Sequence, residues 1–258
     1  NAASHSLPGD VLYPIKRASE RTQLALAGFS QDGRVVTDLH VAFAKRRLEE
    51  LHEVTVRPNI KKKSERASAA VKSFTKEVTT IKESLEGIAQ GDHASVLAQQ
   101  IEESSAELKV ALEEVNTADE LVLSELQAAG EIVVEVSDEA VGMIVDAHAQ
   151  GSSDLSDEQV AEVVGSKLER ARSEVETIVS EGDLDKQARD SVVGVVDQAD
   201  QLLEDGAFGE ALERVAVIKK ITDAVSPQDE QEDAAPLSLS DVLIRVIESA
   251  TSTIIGEK

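Results

Sequence analysis

The strongest constraint on this chain is the spacing of its aliphatic residues, which recur three and four positions apart along most of its length. Such spacing lays an apolar stripe along one side of an α-helix, and successive stripes separated by caps lead to helix packed on helix. After a candidate N-cap at Asn59, one seam runs through Ala67, Val71, Phe74, Val78, Ile81, Leu85 and Ile88 to Gly91. Asp92 caps a second run of Ala94, Leu97, Ile101, Ser104, Leu108, Ala111 and Val115. Thr117 and Glu120 have the spacing of a capping box. It opens a helix over 118–150 with the seam Val122, Leu126, Ala129, Val133, Val136, Ala140, Met143 and Ala147. Unbroken, that helix is about 50 Å long; Gly130 and Gly142, each costing about 1 kcal/mol relative to Ala, mark where it would bend or break.

A turn from Gly151 to Ser156 leads to a second capping box, Ser156 with Gln159. The helix it opens carries Val164, Leu168, Ala171, Val175 and Ile178 and stops near Gly182. Residues 183–205 and 207–225 form a hairpin about Gly206. No stretch alternates apolar and polar residues between hairpin turns, so the expected fold class is all-α, an elongated antiparallel multi-helix bundle with coiled-coil-like seams.

The N-terminal stretch Ser6-Leu7-Pro8-Gly9-Asp10-Val11-Leu12-Tyr13-Pro14-Ile15-Lys16-Arg17 is a different signal. Pro8-Gly9-Asp10 is a turn, with proline fixing φ, glycine tolerating positive φ and aspartate able to bond its own backbone. Pro14 suits the first turn of a helix that runs to about Phe29. A second run over 32–56 carries Val41, Ala44, Leu48 and Leu51 at helical spacing, expected to face the first helix in an αα-hairpin.

Within residues 6–56, the pattern resembles the domain of unknown function 5667 family, an extracytoplasmic bacterial module. The resemblance is carried by Leu7, Pro8, Gly9, Asp10, Leu12, Tyr13, Pro14, Lys16, Arg17, Glu20, Ala44, Arg47, Leu48 and Glu50. It implies a helical fold outside the membrane, and in some relatives the module follows an anti-sigma region and a transmembrane helix. This chain shows neither part.

Composition narrows the chemistry. Aromatic residues make up 2% of the chain, with one Tyr and no Trp, so the core has to be aliphatic. Stacking surfaces for sugars or bases lack their material. With no cysteine, disulfides, thiol catalysis and thiolate metal sites are excluded. No run approaches the roughly 20 apolar residues of a membrane span. The opening Asn1-Ala2-Ala3-Ser4 reads as a mature end left by signal-peptide removal.

The net charge of −24 is split: residues 1–82 hold 15 Lys/Arg against 9 Asp/Glu, a net of +6, and residues 83–258 hold 11 against 41, a net of −30. Val110 to Ser166 contains no Lys or Arg, so phosphates would be repelled and nucleic acid is excluded as a partner there. The division expected from these features is a basic helical module over 1–91 and an acidic bundle over 92–225. A Pro- and acid-rich linker over 226–236 then leads to an amphipathic helix over 237–258.

No catalytic constellation is apparent. Glu49 and His52 form half of a carboxylate di-metal motif, and no second half occurs, so His52 reads as a surface histidine. Asp154, Asp157, Glu158, Asp183 and Asp185 lack an EF-hand's glycine and terminal glutamate, leaving weak divalent-cation binding as the most they offer. No cofactor is expected. Candidate interaction residues are the basic run Lys61, Lys62, Lys63 and Arg66, and the apolar face Leu239, Leu243, Val246, Ile247 and Ile254 of the last helix.

The expected function is that of a non-enzymatic, extracytoplasmic structural or interaction protein, a cell-surface, filament or lattice component. Its expected partners are copies of itself, through head-to-tail pairing of basic and acidic regions, or another extracytoplasmic protein. The alternative is an extracytoplasmic sensor or ligand-binding module of the anti-sigma type.

Overall fold

The computed structural model describes residues 3–29, 33–88, 94–181 and 186–225. Among them the regular structure is wholly helical: α1 (Tyr13–Gly28), α2 (Gly33–Val56), α3 (Lys63–Ile88), α4 (Ala94–Glu113), α5 (Glu120–Ala149), α6 (Asp157–Glu181), α7 (Lys186–Glu204) and α8 (Phe208–Val225). The all-α expectation holds. The linker over 226–236 and the expected helix over 237–258 lie outside the described residues, as do Gly91, Asp92, Gly182, Asp183 and Asp185.

Packing divides the chain into two compact units, Asn1–Ala147 and His148–Lys258. The packing boundary falls at the last turn of α5, inside the acidic bundle expected over 92–225.

In the first unit, cross-helix contacts fix the directions. His40 meets Glu77 and Lys63 meets Thr55, so α2 and α3 are antiparallel. Asp38 meets Gln100 and Lys45 meets Glu107, so α4 runs parallel to α2. Lys72 and Lys82 reach Glu125 and Glu135, which makes α5 parallel to α3. The antiparallel expectation thus holds for the α2–α3 hairpin, while two lateral pairs are parallel. Three of these contacts pair lysines of α2 and α3 with glutamates of α4 and α5 within one chain.

The predicted seam of α3 is buried from Ala67 to Leu85. In α4, Ser105 and Glu102 are buried where Ser104 was expected, because this helix is covered by α5 as well as α2, and Ser137 donates to Glu102 at 3.3 Å. Helix α5 runs unbroken for 30 residues through Gly130 and Gly142. Its stripe widens near the C-terminus, where Val141, Ile144 and Val145 are buried and Met143 is half-buried.

Two caps move. Helix α3 starts at Lys63 because Lys62 takes a left-handed φ of 56°, which a helix cannot contain, and Asn59 stays in the preceding turn. Asp119, not Thr117, caps α5, its Oδ1 accepting the Val122 N–H at 3.2 Å. The Ser156–Gln159 box forms in both directions, at 3.0 and 3.3 Å.

In the second unit, α6, α7 and α8 enclose an aliphatic cluster that includes Leu168, Val175, Val195, Ala199, Ile218 and Ile221. Gly206, at φ 74°, ends α7 with Gly206 N–H on the Leu203 carbonyl (3.1 Å) and Ala207 N–H on that of Leu202 (2.8 Å), a Schellman closure.

Candidate functional site

The motif residues meet where α1 lies across α2. The turn forms as its residue types dictate: Gly9 takes φ 87°, Asp10 N–H donates to the Leu7 carbonyl at 2.9 Å, and Leu7 N–H donates back to Asp10 Oδ2 at 2.9 Å. Arg66 of α3 clamps it, with Nη1 2.7 Å from Asp10 Oδ1. The Leu7 N–H, followed by the Arg66 guanidinium, holds the Asp10 carboxyl below the usual carboxylate range. Leu7 and Pro8 are buried, Leu12 occupies the N-cap position, and Pro14 sits in the first turn of α1 as expected.

From that turn α1 directs Tyr13, Lys16, Arg17 and Glu20 inward. Arg47 of α2 is fully buried, with Glu20 3%, Glu50 4% and Lys16 6% exposed. Glu20 Oε1 accepts from Arg47 Nη2 at 2.5 Å and from Arg46 Nη1 at 2.8 Å, and its Oε2 from Arg17 at 2.9 Å. Glu50 Oε2 lies 3.0 Å from Arg47 and accepts the Tyr13 hydroxyl at 3.1 Å. Lys16 Nζ lies 2.6 Å from Glu50 Oε1 as an ion pair, and Lys16 also donates to the Ser6 carbonyl at 3.4 Å. Arg17 extends the cluster to Glu77 of α3 at 3.2 Å, where His40 Nδ1 stands 2.8 Å from the other oxygen.

Burial raises the Glu77 carboxyl, but the hydrogen bonds from His40 and Arg17 outweigh it and leave the group below its usual range. Burial and the Glu50 carboxylate push the Tyr13 phenol upward.

Four cations (Lys16, Arg17, Arg46, Arg47) and three carboxylates (Glu20, Glu50, Glu77) thus neutralise one another almost completely. Sequence reasoning missed His40, Arg46 and Glu77. The available signal was Glu77 itself, a charge three residues past Phe74 and beside Val78 on the buried seam of α3. The cluster adds polar partners to the expected hairpin contact: α2 meets α1 through Arg46, Arg47 and Glu50. Ala44, Leu48 and Leu51 are buried as well, with Arg47 about 60° around the helix from Ala44 and about 40° from Leu51.

The opposite side of α1 is apolar and uncovered. Ile15 is 57%, Leu26 65% and Phe29 82% exposed, with exposed Ala18, Ser19, Thr22 and Ala25 between them and Val11 preceding the helix. The Thr22 hydroxyl is spent on the Ala18 carbonyl at 2.9 Å. Helix α1 is therefore inside-out, with charge in and grease out.

A family model described as Domain of unknown function (DUF5667) matches residues 5–235. The chain belongs to this family. The match extends far past the N-terminal motif, through α8, so the family fold includes both units. No curated protein and no solved structure matches the chain.

The remaining candidate residues disperse. Lys61 and Lys62 are exposed in the α2–α3 connection and Lys63 at the start of α3; Lys62 pairs with Glu65 at 2.8 Å and Lys63 donates to the Thr55 carbonyl. Arg66 leaves that basic run for the family turn. Leu239, Leu243, Val246, Ile247 and Ile254 fall outside the described residues. His52 is exposed, while His148 packs edge-on against Phe208 at 5.5 Å and stands 3.3 Å from Asp157. Among the described residues no three His, Asp or Glu side chains could hold a metal ion, and no helix is long and apolar enough to cross a membrane. A half-open cleft of about 300 Å³ lies between Thr55, Lys63, Ser64, Asn116 and Asp119, floored by Ala67 and Val122. The Ser64 hydroxyl and the Val122 N–H hold the Asp119 carboxyl below its usual range.

Proposed function

We propose that this member of the family is a non-enzymatic, extracytoplasmic interaction protein that associates with copies of itself through the outer face of α1. One observation carries the reading: the charged side of α1 is consumed in the buried cluster while its apolar side stays in water. Exposed apolar residues scattered singly need no explanation, but a continuous face of them marks a contact surface. The cluster's ionisable groups are paired with one another, and Lys16, Glu20, Arg47, Glu50 and Glu77 are buried, which supports a positioning role over a chemical one. Buried ion pairs add little net stability and instead fix one register, here the one that turns Ile15, Leu26 and Phe29 outward.

Sedimentation velocity of the full chain over a concentration series tests this. Reversible association is expected for the native chain and its loss in Ile15→Ser/Leu26→Ser, with far-UV circular dichroism unchanged. A native chain that stays monomeric up to about 1 mM defeats the reading. The extracytoplasmic placement rests on the family resemblance, and cell fractionation checks it.

The cleft beside Lys63 favours a second reading, a ligand-binding module, since its volume reaches the lower end of small-molecule sites. Thermal-shift measurements with divalent cations and cell-wall fragments test it. A shift abolished by Lys63→Ala supports this reading, and no shift with any of them counts against it.

A further inference from the structure

We infer that the cleft beside Lys63 takes a small zwitterion, an amino acid or dipeptide, with its carboxylate toward Lys63 and its ammonium toward Asp119. The inference rests on the reading of that cleft as a ligand site, and it adds the chemical class of the ligand and its orientation.

The helix directions bring the two walls together. Because α2 is antiparallel to α3 and parallel to α4, and α5 is parallel to α3, one end of the first unit gathers three segments: the end of α2, the start of α3 and the α4–α5 connection. One wall carries Lys63, with Lys61 and Lys62 exposed just before it. The other carries Asp119, with Glu113, Glu114 and Glu120 exposed around it. Lys63 and Asp119 line one cleft and yet form no ion pair, since the Lys63 ammonium is taken by the Thr55 carbonyl and Asp119 by the Ser64 hydroxyl and the Val122 N–H. Each charge is held on its own side, with room for a molecule between them.

The charges select the ligand. A monoanion meets the carboxylates of the second wall and the −24 of the whole chain, while a monocation meets the lysines of the first. A zwitterion carries no net charge to be repelled and satisfies both walls in one orientation only. Thr55, Thr117 and Asn116 add hydrogen-bonding groups along the cleft, and Ala67 and Val122 give a floor for a small apolar side chain. A volume of about 300 Å³ suits a molecule of this size. The Asp119 carboxyl, held below its usual range, is ionised at neutral pH, as the partner of an ammonium must be. Lys63 is exposed and Asp119 half-buried, so binding is weak and falls as salt is added.

Isothermal titration of the full chain with L-leucine and with L-alanyl-L-leucine, each beside its N-acetylated and its C-amidated form, tests this. Saturable binding is expected for at least one of the two zwitterions, and the tighter of them fixes the length of the ligand. Capping either charge is expected to cost about tenfold in affinity, the size of one charged hydrogen bond. Asp119→Asn keeps a good helix cap and is expected to bind the zwitterion and its N-acetyl form alike. Lys63→Met keeps the side-chain stem and is expected to bind the zwitterion and its amide alike. Capped forms that bind the native chain as tightly as the zwitterions, or a selectivity that neither variant alters, overturn the assignment while leaving the cleft a ligand site. Zwitterions that fail to bind while cell-wall fragments give a Lys63-dependent thermal shift do the same. No response to any of these compounds overturns both.

Discussion

Helices meet in this protein through two kinds of contact. Between α1 and α2 the contact includes the polar side chains Tyr13, Lys16, Glu20, Arg46, Arg47 and Glu50; α6, α7 and α8 meet chiefly around a cluster of Leu, Val, Ile and Ala, with the Arg172–Asp200 ion pair at its margin. An aliphatic cluster gains from every apolar area it covers and tolerates small shifts in register. The ion cluster gains little overall, since each charge must first leave water, but a slip of one residue would strand several buried charges. The first contact therefore selects a geometry and the second supplies cohesion. That division of labour explains how a helix can be held with its apolar side outward.

The largest blow to this comparison is expected at Arg47. Arg47→Ala leaves Glu20 and Glu50 buried with reduced compensation, a loss of about 3–5 kcal/mol. Arg47→Met, which keeps the bulk, is expected to lose nearly as much; a mild effect there would mean that packing, not pairing, holds the contact. Tyr13 is the only tyrosine and there is no tryptophan, so its fluorescence during denaturation reports on the first unit alone.

In the second unit, Ile218→Ala should cost about 2–5 kcal/mol from lost burial and an unfilled cavity. It is expected to move the circular-dichroism transition and leave the Tyr13 transition in place.

The turns give a smaller contrast. Gly206→Ala forces a Cβ into a left-handed residue with open space around it, a cost of about 1 kcal/mol read from the denaturation midpoint. Gly9→Ala adds to the same strain a Cβ 3.0 Å from Arg66 Nε, so it should cost more and loosen the clamp on Asp10.

Acid and alkali provide the subtlest separation. Glu77 and Asp10 have lowered folded values, so their contribution is complete above the unfolded carboxylate range near about 4 and is lost as pH falls through the folded values. Tyr13 is raised, so above pH about 10 the unfolded chain ionises first and stability declines as pH climbs. Thermal melts followed by Tyr13 fluorescence should therefore move down at both extremes. Glu77→Gln is expected to flatten the acid limb, and an unchanged limb would remove Glu77 from the account.

Much of this was legible without coordinates. The three-and-four spacing made every described element a helix. Ser156 with Gln159, Gly206 and the Pro8-Gly9-Asp10 turn behaved as their local chemistry requires, because caps and tight turns are settled by residues within a few positions of one another. The family motif was visible as a pattern, yet its purpose was not. Glu20 finds Arg47 27 positions away and Arg17 finds Glu77 60 positions away, and no periodicity announces such partners.

The sequence alone determined that the chain is helical, where most helices begin and end, and which residues share a stripe. Only the tertiary structure decided which stripe is covered, that α2 runs beside α4 and α3 beside α5 in parallel, and that α1 turns its charges inward. The physical reason is that periodicity reports which side chains lie on the same side of a helix, a local property of the backbone. Whether that side is dry or wet depends on what distant segments bring to it, and a buried carboxylate is tolerable only after its cations have arrived.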